Sequence, residues 1–241
     1  MAQIRGIVKG DAFQKIGSAG FIISAILVVV SGLLMPHAAN LNSSLQEMLK
    51  PLGEHEFRTY FSSLLMTIGF WAAMIGAAGV YRSIAASGTA ANGAAASGAA
   101  WARLGFYFTL IGTALWTVCL SLDVGTASAV ANWLAAPAVG KEAAWSVVAA
   151  LSAFGRGIIP LTWIIYWLAL AFLGTAMIHN DVYPRWLGWA GLLVSLPVIV
   201  LGVVQVFTSR SITLTLIFSI LVLLTALWNL ATGIWVARKA W

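Results

Sequence analysis

The feature that decides the fold is the stretch at residues 16–35, which reads IGSAGFIISAILVVVSGLLM and stops at Pro36. It carries no charge, and 20 such residues in a helix rise about 30 Å, the thickness of the hydrocarbon core of a bilayer. No small-residue cleavage site follows it. We therefore expect a retained first membrane helix rather than a signal peptide that is removed.

Five further apolar runs of comparable length follow along the chain. They predict membrane spans at residues 61–81, 104–122, 158–178, 186–207 and 212–237. The third of these belongs to a longer apolar run that begins near residue 143 and exceeds one straight span. Because Gly155, Arg156, Gly157 and Pro160 lie inside it, we expect a break or kink there, before the span starts.

The composition of the chain points to lipid as its main environment. Of its 241 residues, 61% are hydrophobic and 8% are charged, and the mean hydropathy is +0.94. A soluble domain carries about 25% charged residues. The runs lack the alternating polarity of barrel strands, and backbone amides in lipid must be paired within their own segment. We predict an all-α membrane protein, a single domain (residues 1–241) built as a bundle of about six transmembrane helices.

The distribution of positive charge predicts the orientation. The 13 Lys and Arg residues stand singly, without the basic stripe that nucleic-acid binding requires. Leaving aside Arg156, eight lie on the side of the two termini and four in the connections of the opposite side. Since positive connections stay in the cytoplasm, we expect both termini there, in a bacterial cytoplasmic (inner) membrane. The expected partners are the lipid bilayer and other membrane subunits, and no nucleic acid.

The connections between the spans differ in composition. Residues 85–100 read AASGTAANGAAASGAA, which is typical of a flexible linker, and we expect a flexible cytoplasmic loop there. Residues 37–58 and 123–142 are more polar and are expected to form two outer connections.

Charged residues at the outer edge of the predicted bundle form one candidate site. Arg156 lies beside two glycines, and Asp123 closes the third span on the same side. A charge within lipid costs about 2.5–3.5 kcal/mol, so each such residue needs a partner or water. The two residues predict either an ion pair between neighbouring helices or the charged lining of an outward-facing cavity.

His37, His55 and Glu56 complete this candidate outward-facing polar site. Histidine with carboxylates binds zinc, and histidine also binds copper. If the outer connection folds over the bundle, His37 and His55 converge with Asp123. The spacing of these residues matches no metal-binding signature, and a polar, solvated start of a helix explains them more simply. The identity of any cofactor therefore stays open.

A second candidate is an intramembrane pocket lined by Trp116, Trp163, Tyr166, Trp167 and Asn229. Residues of this kind inside membrane helices mostly pack and hydrogen-bond between helices. The alternative interpretation is an aromatic pocket for a ligand.

The last third of the chain resembles a known family. It contains Tyr183-Pro184-Arg185-Trp186-Leu187-Gly188-Trp189, followed by two apolar runs, the second of which carries Leu227-Trp228-Asn229-Leu230. These motifs, with Gly32-Leu33-Leu34-Met35-Pro36 after the first run, are similar to those of the DUF4386-like family of bacterial multi-pass membrane proteins. The resemblance implies six or seven helices and no established activity, so it implies no catalytic residues. The charged outer connection and the Ala/Gly/Ser-rich loop depart from the family pattern.

Three classes of function stay open on the sequence alone. The first is a non-catalytic subunit, scaffold or binder of a lipid or another apolar ligand. The second is a small transporter, which requires broken helices with charges at mid-membrane, and Arg156 alone approaches that. The third is a membrane enzyme with an outward-facing site, with or without metal, which requires the His, Glu and Asp residues named above to converge.

Overall fold

Helices make up nearly all of the structure. The computed structural model describes residues 11–36, 44–88, 94–208 and 212–241. Its helices are α1 (Ala12–Leu34), α2 (Leu45–Glu54), α3 (Glu56–Gly88), α4 (Ala94–Ala135), α5 (Lys141–Ile178), α6 (Arg185–Phe207) and α7 (Ile212–Ala240), with a 3-10 turn at Ala138–Gly140. Within the described ranges, all of these helices except α2 and the 3-10 turn are long and apolar enough to cross a membrane. The prediction of an all-α transmembrane bundle with six spans is confirmed.

The six long helices form a ring in chain order. α1 packs on α3, α3 on α4, α4 on α5, α5 on α6 and α6 on α7, and α7 returns to α1. The inside of the ring is a hydrophobic core, in which Trp167, Tyr166 and Phe21 are the largest buried side chains. Consecutive antiparallel helices with short connections produce this order, because each helix ends close to where the next begins.

Close backbone contact joins α1 to α3. A Cβ atom added to Gly17 would lie 3.0 Å from the Cα of Gly79, and one added to Gly20 would lie 2.6 Å from the carbonyl oxygen of Ala72. Side chains larger than hydrogen do not fit at these two positions. The two helices therefore approach through small residues, as membrane helices do when packing rather than the hydrophobic effect drives their association.

The described ends of the chain lie at the same end of the bundle. The Nζ of Lys15 lies 4.6 Å from the ring centroid of Trp241, and Arg82 lies 3.9 Å from the carboxylate of Asp11. We call this the terminal end. An even number of spans requires this arrangement, whereas the side of the membrane that the terminal end faces stays a prediction.

α4 and α5 are longer than the predicted spans at residues 104–122 and 158–178. They have 42 and 38 residues, which correspond to about 63 and 57 Å, roughly twice the thickness of the hydrocarbon core. α5 runs through residues 155–157 and through Pro160 as one helix, so a break there is wrong, whereas a kink stays a prediction. In a membrane bundle, neighbouring helices satisfy the backbone groups that a proline frees, so Pro160 need not end the helix.

The predicted loop at residues 85–100 is wrong over most of its length. α3 continues to Gly88 and α4 begins at Ala94, and only residues 89–93 lie outside the described parts of the chain. Alanine is the best helix former, so an Ala-rich segment extends the two helices. The segment also packs on the end of α5, since the Nδ2 of Asn180 donates a 2.8 Å hydrogen bond to Ser87 Oγ.

Opposite the terminal end, α2 packs on the end of α4 and the start of α5. Leu49, Val130 and Val148 form a second hydrophobic cluster there, and Trp133 and Trp145 pack against it with their ring centroids 5.1 Å apart. We call this assembly of α2 with residues 123–157 the cap. Residues 123–142 were expected to form a polar connection, and this expectation is wrong. Apart from residues 136–140, they belong to the helical hairpin that α4 and α5 form.

Candidate functional site

The outward-facing polar residues lie apart in the described structure. His55 is exposed at the junction of α2 and α3, where its N–H donates to the carbonyl of Pro51. Glu56 accepts a hydrogen bond from the hydroxyl of Tyr60, one turn along α3. Among the described residues, no group of three His, Cys, Asp or Glu side chains could hold a metal ion, and His37 lies outside them.

Arg156 and Asp123 lie on the two long helices of the cap. Arg156 is exposed on α5, and Asp123 is half-buried on α4. The salt bridges between described residues join Lys50 to Glu54 at 3.4 Å and Arg82 to Asp11 at 3.9 Å. The ion pair expected between Arg156 and Asp123 is not among them.

The aromatic residues predicted to line an intramembrane pocket do come together, and their side chains fill the centre of the ring. Trp116 stacks on Phe70 with ring centroids 4.6 Å apart, and Trp163 stacks on Phe218 at 3.6 Å with planes 2° from parallel. The Nε1 of Trp167 donates a 3.0 Å hydrogen bond to Thr225 Oγ1. Phe70 and Phe218 belong to this cluster but were missed, because only tertiary packing brings them to α4 and α5.

A small cavity remains beside this cluster, between α1, α3, α5 and α7. Its volume is about 10 Å³, and Ser24, Tyr166, Trp167, Thr225 and Asn229 contribute to its lining. The hydroxyl of Ser24 and the side-chain carbonyl oxygen of Asn229 are buried and have no hydrogen-bond partner among the described residues. The space suits one water molecule rather than an apolar ligand of any size.

A larger groove lies at the terminal end, and no pattern in the sequence predicts it. Its volume is about 520 Å³. We call it the terminal groove; it is lined by Phe13, Ala78, Tyr81, Arg82, Ala85, Ala86 and Phe106. The guanidinium carbon of Arg82 lies 4.7 Å from the ring centroid of Phe13. The arrangement combines apolar walls with one cation.

These features define a multi-pass helical membrane protein with an aromatic core, a helical cap at one end and a groove at the other. Comparisons with protein-family models, with curated proteins and with solved structures found no match to this chain.

Proposed function

We propose that this protein is a non-catalytic scaffold subunit of the bacterial cytoplasmic membrane, and that its cap binds a helix of a partner membrane protein. The observation that carries the proposal is an unpartnered apolar stripe on the cap. The stripe, here the α5 outer face, consists of Ala143, Val147, Ala150 and Phe154, all of which are exposed.

The spacing of the α5 outer face is that of a helix-packing seam. Steps of four, three and four residues keep its side chains on one side of α5. Small residues alternate with large ones, so a second helix could approach closely at Ala143 and Ala150 and pack against Val147 and Phe154. Val147 is 54% exposed and Phe154 57%, which leaves most of their apolar surface for a partner.

The neighbouring helices leave this face open. α6 runs antiparallel to α5, since Gly174 contacts Gly188 and Gly202 contacts Pro160. α6 ends at Phe207, five residues after Gly202. Ala143, Val147 and Ala150 therefore extend beyond the end of α6.

The cap is braced in a way that supports a docking role. A Cβ atom added to Gly53 would lie 2.6 Å from Val130 and 2.7 Å from the backbone of Ala131, so α2 lies directly on α4. The hydroxyl of Thr59 donates to the carbonyl of Leu52 at 3.1 Å and ties α2 to α3. A surface held in this way loses little conformational entropy when a partner binds.

The test is co-purification from the membranes of the source bacterium in mild detergent. We expect the protein to elute in a stoichiometric complex with one other membrane protein, and Ala150→Trp to dissociate it because the indole blocks close helix approach. Val139→Trp is the matched control, because Val139 is fully exposed at the tip of the cap but lies off the α5 outer face. A lone monomer, a homodimer, or equal dissociation by both variants would contradict the proposal.

The orientation is part of the proposal. Among the described residues, the terminal end carries six basic and two acidic side chains (Lys15, Arg82, Arg103, Arg185, Arg238 and Lys239 against Asp11 and Asp181). This excess supports a cytoplasmic terminal end and an outward-facing cap. In intact spheroplasts we expect a membrane-impermeant maleimide to label Val139→Cys. Labelling only after lysis would mean that the orientation is inverted.

We also propose that this chain belongs to the DUF4386-like family. The assignment rests on the motifs at residues 183–189 and 227–230, and two of their residues contact each other: the Nε1 of Trp228 donates a 2.8 Å hydrogen bond to the carbonyl of Leu187. The contact gives the two motifs a joint structural role in packing α7 on α6. Conservation of the tryptophan at position 228 in members of the family would support the assignment, and its frequent replacement by residues without an N–H donor would count against it.

A further inference from the structure

The terminal groove has the dimensions and the lining of a lipid-chain site. Its volume of about 520 Å³ falls within the range of small-molecule sites, which is about 300–1,000 Å³. Ala78, Ala85 and Ala86 line it from α3, where their short side chains give the groove depth. Tyr81 and Phe106 stack at 5.4 Å with planes 5° from parallel and form a flat aromatic wall. An extended hydrocarbon chain matches such a surface.

Arg82 supplies the polar end of the groove. Its side chain is exposed, and the guanidinium lies over the ring of Phe13 at 4.7 Å. Asp11 is its acidic neighbour, but the distance of 3.9 Å exceeds hydrogen-bond length. One oxygen of that carboxylate already accepts a 2.8 Å hydrogen bond from the N–H of Phe13, as the N-cap of α1. A guanidinium has five N–H donors in a planar fork, so Arg82 retains donors for a second acceptor such as a phosphate.

The charge around the groove favours an anion. The six basic and two acidic side chains at the terminal end give it a net positive charge among the described residues. Arg103 is exposed on α4, one turn before Phe106, and adds to the positive charge near the groove. Each basic residue near a membrane surface contributes about 1 kcal/mol to the attraction of anionic lipid.

We propose that the terminal groove binds an anionic phospholipid, with the phosphate at Arg82 and one acyl chain along Ala78, Tyr81, Ala85 and Phe106. This inference goes beyond the scaffold role, because the groove and the α5 outer face lie at opposite ends of the bundle. A phospholipid combines a phosphate with an extended hydrocarbon, and six membrane-spanning helices place the groove within reach of the bilayer.

The test is native mass spectrometry of the full chain, delipidated in detergent and titrated with phosphatidylglycerol or phosphatidylcholine. We expect one tightly retained phosphatidylglycerol and a preference over phosphatidylcholine. Arg82→Gln should weaken retention of phosphatidylglycerol about fivefold, the loss expected for one interfacial cation. Arg82→Lys, which keeps the charge, should retain most of it. Arg238→Gln is the matched control, an exposed cation of the terminal end that does not line the groove.

A second arm tests the acyl chain separately from the phosphate. Ala85→Phe should fill the groove while leaving Arg82 in place, and should reduce retention of both lipids. Circular dichroism at equal protein concentration verifies that each variant is folded. Equal retention by the wild type, Arg82→Gln and Ala85→Phe would overturn the proposal, as would displacement of the lipid by inorganic phosphate alone. If lipid bound only after deletion of residues 2–10, that segment of the chain rather than a phospholipid would be the occupant of the groove, and the proposal would be overturned.

Discussion

Ser24 of α1 and Asn229 of α7 line the same cavity of about 10 Å³ at the centre of the bundle, and the hydroxyl of Ser24 and the side-chain oxygen of Asn229 are both buried without a hydrogen-bond partner among the described residues. Ser24 is 1% exposed and Asn229 is 4% exposed. A buried polar atom without a partner costs about 1–3 kcal/mol. Two such atoms beside one cavity therefore indicate that a polar molecule occupies it.

We expect one ordered water molecule to bridge Ser24 and Asn229. The volume matches a single water, and Thr225 contributes a third oxygen to the lining, which supplies the two to four partners that a buried water needs. A density map of the protein at a resolution that shows waters tests this directly. Ser24→Ala should lower the free energy of unfolding by about 1 kcal/mol, because the water loses a partner.

The same substitution distinguishes a wet cavity from a dry one. In a dry cavity, removing the unpaired hydroxyl would leave stability unchanged or raise it, and that result would contradict the expectation. Ser121→Ala is the control, because the hydroxyl of Ser121 is exposed and donates to the carbonyl of Thr117 on its own helix. Cys119 is the single cysteine of the chain and is buried, so its reaction with a fluorogenic maleimide reports unfolding of each variant.

The contact between α1 and α3 makes a second prediction. Gly20→Val should lower the free energy of unfolding by about 1–3 kcal/mol, because the new side chain meets the carbonyl oxygen of Ala72 at 2.6 Å and the nitrogen of Gly76 at 3.1 Å. Gly32→Val lies on the same helix, but a Cβ atom there meets nothing within 4 Å. Thermal unfolding followed through Cys119 should separate the two, and equal melting temperatures would contradict the packing.

The number and type of spans could be predicted because lipid leaves the backbone few choices. A run such as residues 16–35 must be helical and must be about 20 residues long to cross the membrane. The lengths of α4 and α5 could not be predicted, since they depend on the packing of α2 at the far end of the bundle, which no local pattern indicates. The contact of Gly53 with Val130, which fixes that arrangement, joins residues 77 positions apart.

In the candidate sites too, local spacing could be predicted from the sequence, but contacts between different helices could not. Trp163, Tyr166 and Trp167 are grouped by their spacing on α5, and the structure keeps them together. Their partner Phe218 comes from α7, and no local pattern indicates it. Arg82 is one of the positive charges that predict the orientation, and only the packing of α1 beside α3 places it in the terminal groove.

Tyr183, in the connection between α5 and α6, makes stability depend on pH. Burial raises the pKa of its phenol above the ordinary value of about 10, because a phenolate would form away from water; the hydrogen bond with Ser83 acts in the opposite direction but is the smaller effect. The hydroxyls of Tyr183 and Ser83 lie 2.8 Å apart, and either of them can donate in this pair.

The sign of this dependence follows from the raised pKa. Above about pH 10 the unfolded chain releases the phenolic proton while the folded protein keeps it, so the free energy of unfolding falls as pH rises. Below pH 9 the group has no effect. We expect Tyr183→Phe to be less stable than the wild type at pH 8 but to lose less stability between pH 9 and 11, measured by circular dichroism. Parallel curves for the two proteins would contradict the assignment.

The stack of Trp163 on Phe218 joins α5 to α7 across the ring. Phe218→Ala should lower the free energy of unfolding by about 2–3 kcal/mol, less than the 3–5 kcal/mol typical of a fully buried phenylalanine, because Phe218 is only partly buried. It should also change the tryptophan fluorescence, since the ring also lies 5.5 Å from Trp167. Phe207→Ala removes an equally large side chain that is 83% exposed at the end of α6, and should leave both measurements unchanged. If the two variants lost equal stability, α5 and α7 would not be held together by this stack, and the aromatic core would have to be stabilised by its other contacts.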